Sequence, residues 1–145
     1  MTVYATSNEP DWAWLGRNRL QKDLTFSNNT GTVTLFTVTG DVIVKIIPVI
    51  VTNVTSALTA DVRLGVTGFT DAMIVDSVST DLDARGIWVD QTPTNEIEPT
   101  DGIRDYIVVD GNDIILTLSA QVDAGALRFY CYWTPISPDG NVVVA

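Results

Sequence analysis

The sequence predicts an all-β fold, an antiparallel β-sandwich of jelly-roll-like type with an extended N-terminal arm, and three observations carry that prediction. Val (19), Ile (12) and Thr (19) dominate the 145 residues, and β-branched side chains lose rotamer freedom in a helix but pack well on a pleated sheet. From Thr32 onward the apolar residues fall in short alternating or continuous runs. Gly, Asp, Asn and Pro clusters separate these runs, the punctuation of a many-stranded sandwich or barrel. The length is that of one domain, enough to bury roughly two thirds of the unfolded surface.

Residues 1 to 30 are expected to form the arm and residues 31 to 145 the sandwich. Trp12, Trp14, Leu15, Leu20 and Leu24 occur in the front segment without a sustained period of 3.6 or 2. A polar cluster, Ser27-Asn28-Asn29-Thr30-Gly31, closes it. Thr32–Thr39 then alternates, and 42–52 is nearly continuous apolar sequence, as in a strand buried on both faces. Pro48 within it implies a bulge or an edge, because proline has no N–H for the ladder. Asp61–Thr67 places Val62, Leu64 and Val66 on one face. Shorter strands are expected at 73–78 and 87–89. The segment 91–102, with Pro93, Glu96, Glu98, Pro99 and Asp101, reads as an exposed acidic loop. Asp110-Gly111-Asn112 between two apolar runs is the signature of a hairpin turn. A last strand, 126–134, follows Asp123-Ala124-Gly125; it sets Leu127, Phe129, Cys131 and Trp133 on one face and Arg128, Tyr130 and Tyr132 on the other.

Charge and composition exclude several function classes. The net charge of −10 disfavours any extended phosphate-binding surface, so nucleic acid is not an expected partner. Residues 1 to 45 carry four acids and four bases, so the acidic excess lies entirely behind them. The most apolar run is about half what a spanning helix requires, so no membrane is expected, and Met1–Asn8 lacks the basic and apolar pattern of a signal peptide. A single cysteine, Cys131, rules out an intrachain disulfide. With no histidine, Ser-His-Asp and Cys-His nucleophile systems and histidine-ligated metal sites are all excluded.

What remains for catalysis is a carboxylate pair, as in glycosidases. Asp81/Asp83, Glu96/Glu98 and Asp110/Asp113 are formal candidates, but 15 aspartates spread through turns make such pairs inevitable, and they read as turn and solubility residues. Asp110-Gly111-Asn112-Asp113 groups possible calcium ligands without the length or closing Glu of an EF-hand. No catalytic residue, cofactor or metal is therefore assigned. Cys131, in an apolar row, reads as an inert buried thiol. The candidate partner-binding residues are Trp12, Trp14, Leu15, Arg17, Arg19 and Lys22. Indoles are costly to expose and rare in disordered tails, and basic residues beside them on an otherwise acidic chain favour docking on an acidic neighbouring subunit.

Four phrases, Leu35-Phe36-Thr37-Val38-Thr39-Gly40-Asp41-Val42, Leu64-Gly65-Val66, Leu82-Asp83-Ala84-Arg85-Gly86-Ile87-Trp88 and Phe129-Tyr130-Cys131-Tyr132-Trp133-Thr134-Pro135, resemble small tailed-phage virion proteins over roughly residues 30 to 145. The resemblance implies a non-enzymatic β-sandwich protein of the phage particle, made in the host cytoplasm. Capsid decoration as a homotrimer on the major capsid protein is the expected role; neck, tail and head-fibre components are alternatives within the class. A carbohydrate-binding host-adhesion module, stacking sugars on Tyr130, Tyr132 or Trp88, is the competing reading from another class, and a carboxylate hydrolase ranks last.

Overall fold

A computed structural model describes residues 18–145, and within them the chain is entirely strand, turn and two short 3-10 turns (Ser79–Asp81 and Thr100–Gly102). Nine strands follow in order: β1 Asn18–Thr39, β2 Val42–Thr55, β3 Asp61–Val66, β4 Phe69–Val78, β5 Gly86–Ile87, β6 Thr94–Asn95, β7 Asp105–Val108, β8 Ile114–Pro135 and β9 Asn141–Val144. All pair antiparallel in one continuous hydrogen-bonded sheet, β4-β3-β8-β2-β5-β6, with β1 on the other side of β8, β9 on β1 and β7 on β2.

Two strands of 22 residues organise the molecule. β8 pairs with β1 along nearly all its length, while its opposite edge changes partner: residues 114–118 pair with β3 and residues 124–135 with β2. Between these halves the ladder slips, with Asn29 and Gly31 opposite Val122 and Leu118, so two steps of β1 face four of β8. Bulges of this kind bend a strand and increase its twist. Asn28 (φ 56) and Gly31 (φ 75) lie at this bend in β1, and Gly125 (φ 121) in β8. The bend curls the sheet over itself, and both halves line a single core containing Leu24, Phe26, Leu35, Phe36, Leu64, Leu116, Leu127 and Phe129. The sandwich expected from the sequence is thus built from shared, bent strands.

The bend accounts for the main differences from the sequence reading. The arm boundary expected at residue 30 falls inside β1, because Asn18–Ser27 and Asn29 pair with β8 and the strand runs on to Thr39. Leu20, Lys22, Leu24 and Phe26 do alternate with Arg19, Gln21, Asp23 and Thr25; Lys22 masks the pattern in the sequence. It is tolerated on the inward row because its flexible stem lets Nζ reach out to the Ala145 carbonyl at 2.6 Å. Likewise 27–31 and 123–125 are bulges within strands, where turns between strands were expected. Asp123 caps a neighbouring turn instead, accepting from the Ala57 N–H at 2.8 Å.

The hairpin expected around Gly111 is not formed. The turn exists, with Gly111 at φ 82, but β7 pairs with β2 and residues 114–118 with β1 and β3, so the turn carries the chain between halves of the sheet. Pro48 sits at an interrupted edge, as expected. Its carbonyl accepts from Trp88 N–H, and a residue's N and O face the same side of a strand, so the missing donor falls in the gap between the β7 pairing (42–45) and the β5 pairing (49). The β8 ladder loses nothing. At Thr34/Phe36 a register shift interrupts the alternation, which lets both Leu35 and Phe36 be buried.

Candidate functional site

Of the six candidate partner-binding residues, Trp12, Trp14, Leu15 and Arg17 lie outside the described residues. Arg19 and Lys22 do not form one basic group. They alternate onto opposite faces of β1, Arg19 exposed and Lys22 half-buried against the C-terminal residue.

Arg19 belongs to an outward face three strands wide. Its rows are Arg19, Tyr132 and Lys45; Gln21, Tyr130 and Ile47; and Asp23, Arg128 and Val49, from β1, β8 and β2 respectively. The guanidinium of Arg19 lies 5.9 Å from the Tyr130 ring centre, within cation–π range. Arg128 Nε donates to Asp23 Oδ1 at 2.8 Å, and Gln21 Nε2 donates to the same carboxylate at 3.3 Å. The Arg128 hydrogen bond, helped by Gln21, holds the Asp23 carboxyl below its ordinary value; at this exposure such a pair contributes little stability. The β2 end is different. Lys45 is buried, its ammonium donating to the carbonyls of Ile103 (2.9 Å) and Thr100 (3.3 Å). The end of the acidic loop therefore folds down to cover the face at this point.

The opposite side of β8 is core. Leu127, Phe129 and Cys131 are inaccessible and Trp133 packs against them, as the alternation predicts. Burial pushes the Cys131 thiol up to about 12, which leaves almost no thiolate at neutral pH. Trp88, weighed as a sugar-stacking residue, is fully buried, its indole N–H donating to Ser77 Oγ at 2.8 Å. That removes it from any exposed stacking face; Tyr130 and Tyr132 remain half-exposed on theirs.

The carboxylates are largely occupied in structure. Asp110 Oδ1 accepts from Gly40 N–H (2.8 Å) and Asp113 Oδ1 from Val38 N–H (3.0 Å), while Asp41 Oδ1 accepts from Asp110 N–H (3.1 Å). The aspartates weighed as calcium ligands or an acid pair thus fasten the β1–β2 turn to the turn before β8. Glu96 pairs with Arg85 at 3.0 Å and Glu98 accepts from Thr94 Oγ1 at 2.8 Å, closing the acidic loop on itself.

Among the described strands, β4, β6, β7 and β9 each pair with one other strand alone. β4 pairs only with β3 and β7 only with β2, and a cleft lies between them, spanned by Tyr106, whose hydroxyl donates to the Met73 carbonyl at 3.2 Å. Burial raises the Tyr106 phenol above its ordinary value, with Arg104 acting in the opposite sense. Nothing in the sequence alone marked this cleft, since it is made by two strands far apart in the chain that are never bonded to each other.

The described residues thus present a mixed aromatic and charged sheet face and a cleft between β4 and β7 lined by both polar and apolar groups. Comparison with known proteins gives the fold a relative. A chain of the structure described as the acidic stable capsid of Helicobacter pylori bacteriophage KHP30 superposes with a TM-score of 0.53 at 15% identity, covering 89% of this chain and 94% of that one. The likeness is of fold, and it runs almost end to end through two chains of similar length. No protein-family model and no curated protein matches the sequence.

Proposed function

We propose that the protein is a non-enzymatic structural component of a phage virion and, within that class, a capsid decoration protein that binds the head lattice and stabilises it. The observation that carries this reading is the fold shared over 89% of the chain with a chain of a phage capsid structure. The phrases that resemble small virion proteins support it independently. A decoration protein acts by mass action: whatever binds the assembled shell better than its free parts shifts the balance toward the shell. The surfaces suit that role, because a mixed face of tyrosine, arginine and aliphatic side chains is the composition of protein interfaces. Homotrimers on the major capsid protein, docked through the N-terminal segment that carries Trp12 and Trp14, are the arrangement we favour.

A second reading rests on Tyr130 and Tyr132, half-exposed on one face beside Arg19 and Asp23. Such a platform can stack a sugar ring, and the protein would then be a host-adhesion module. Cryo-electron microscopy of purified particles with quantitative mass spectrometry tests both. Decoration requires many copies distributed over the head; a few copies at tail or fibre tips would favour adhesion, and absence from particles would sink both readings.

A further inference from the structure

Among the described residues, four other than glycine have left-handed backbone: Asn28 (φ 56), Thr59 (φ 52), Arg85 (φ 70) and Glu96 (φ 72). They are far apart in sequence, yet a continuous series of hydrogen-bonded turns joins them beside the bend of β1 and β8, where Ser27, Ala124 and Thr55 share a row. Gln121 Nε2 donates to Asn28 Oδ1 at 3.2 Å, and the Gln121 carbonyl accepts from Ser56 Oγ at 2.6 Å. Ser56 opens the turn of Thr59, whose N–H donates to the Ser56 carbonyl at 3.4 Å. From that turn the Ala60 carbonyl accepts from Ser79 N–H at 2.9 Å, and the Ser79 carbonyl from Leu82 N–H at 3.1 Å. Arg85 follows three residues on, and its carbonyl accepts from Glu96 N–H at 3.0 Å. Positive φ is costly for a side chain with a Cβ, most of all for the β-branched Thr59. Such residues persist where their surroundings over-determine them, and they cluster at binding and switch regions.

Two of these strained turns hold large aliphatic side chains out from the surface: Ile97 is 80% exposed and Leu58 66%. Ile97 N–H donates to the Asn95 carbonyl at 2.9 Å, so Glu96 is the centre of a γ-turn of the rare, positive-φ kind. Arg85 fixes the Glu96 carboxylate at 3.0 Å. The Leu58 turn is fastened on both sides, by Ala57 N–H on Asp123 Oδ2 (2.8 Å) and Ala60 N–H on Ser56 Oγ (3.1 Å). An apolar side chain on a backbone already fixed loses little freedom when a partner closes over it. The surroundings are acidic. Segments 56–60, 79–98 and 119–125 contain Asp81, Asp83, Asp90, Glu96, Glu98 and Asp123 against one cation, Arg85, already paired with Glu96. Charge therefore selects a cationic partner. A second copy does not offer one, because the net charge is −10 and Arg63, Arg85 and Arg128 are each bound to a carboxylate. Residues 1–17, with Glu9 and Asp11 against Arg17, bring no cationic excess either.

We propose that these turns form one docking end of the molecule, where Ile97 and Leu58 are buried in an apolar site rimmed by lysine or arginine on a different protein of the particle. This rests on the virion reading and adds a point of attachment to the N-terminal segment. Full-length protein is tested for binding to purified particles stripped of it, by cosedimentation, beside the variants Ile97→Asp, Leu58→Asp and Ile97→Leu. Ile136→Asp is the control: Ile136 is 51% exposed and lies elsewhere, its N–H on the Asp41 carbonyl at the β1–β2 turn. Circular dichroism verifies that each variant keeps the sheet. Ile97→Asp and Leu58→Asp should each lower affinity by at least about tenfold, as loss of an interface hot spot does, while Ile97→Leu and Ile136→Asp bind like the parent. A benzophenone amino acid in place of Ile97, irradiated on particles, should join the chain to another virion protein at a peptide containing lysine or arginine. Parent-like binding by both aspartate variants at positions 97 and 58 overturns the docking end and leaves the virion reading standing. An adduct to a second copy or to residues 1–17 overturns the choice of partner. Parent protein that does not bind particles at all overturns the virion reading and the docking end together.

Discussion

Cys131 shows how a side chain with reactive chemistry can be reduced to packing. It is fully buried in the β8 row and its thiol is pushed up to about 12 from the ordinary 9.0 by desolvation. A group whose folded pKa is raised contributes stability that is fully present below the unfolded value and lost as pH rises through the folded one. Unfolding free energy should therefore decline between about pH 9 and 12, and Cys131→Ala should remove this component of the decline while lowering stability at neutral pH. Urea titrations across that range, wild type against variant, measure it; identical slopes would contradict the assignment. Cys131→Ser should destabilise by about 1–3 kcal/mol at neutral pH, since a hydroxyl with no partner replaces a small hydrophobe. Trp88→Phe should lose a comparable amount, about 1–3 kcal/mol, because Ser77 Oγ is left without its indole donor in a fully buried site.

At the level of elements, the bend shared by β1 and β8 is the feature on which the fold depends. Gly125 has φ 121, and a Cβ there would stand 2.7 Å from Val54 Cα. Gly31 also has positive φ, at 75, but a Cβ there would meet nothing within 4 Å. The two glycines thus separate backbone strain from collision. Gly31→Ala should cost about 1–2 kcal/mol, the penalty of a left-handed conformation for an L-residue. Gly125→Ala should cost distinctly more, because it adds a clash with the β2 backbone to a conformation essentially reserved for glycine. Thermal denaturation of the two variants compares them directly. Equal losses would mean that β2 yields at this point and that the close approach does not hold the bend.

For the whole molecule, the described residues already assemble a continuous apolar cluster that runs from Leu24 on β1 to Val142 on β9. Deleting residues 1–17 should therefore leave cooperative unfolding intact while abolishing association with particles. Loss of cooperativity would show that the segment belongs to the core. Within the segment, Trp12→Ala with Trp14→Ala should weaken particle binding more than Arg17→Ala, because buried indoles are frequent hot spots, whereas an exposed ion pair is worth only about 0–1 kcal/mol and is screened by salt. Arg19 and Lys22 should be left out of such a charge test: they are held by Tyr130 and by the Ala145 carbonyl, so replacing them perturbs the sheet as well.

Local pattern was enough to establish the class of the fold and much of its strand inventory, because alternation is written in consecutive side chains. Val62 and Leu64, and the row Leu127, Phe129 and Cys131, are buried where period two placed them. The inertness of Cys131 was legible for the same reason. That Ser27–Gly31 and Asp123–Gly125 lie inside strands emerged only from long-range pairing. Glycine, asparagine and aspartate serve a turn and a bulge equally well, and the choice depends on whether a partner strand continues past them. Pairing across the sheet also sent the chain after Gly111 to its other half, joined Asp110 and Asp113 to the β1–β2 turn, and buried Trp88. The cleft between β4 and β7 and the face around Tyr130 likewise exist only once strands distant in sequence are neighbours. A surface for a partner is a long-range property of the fold, and no local pattern encodes it.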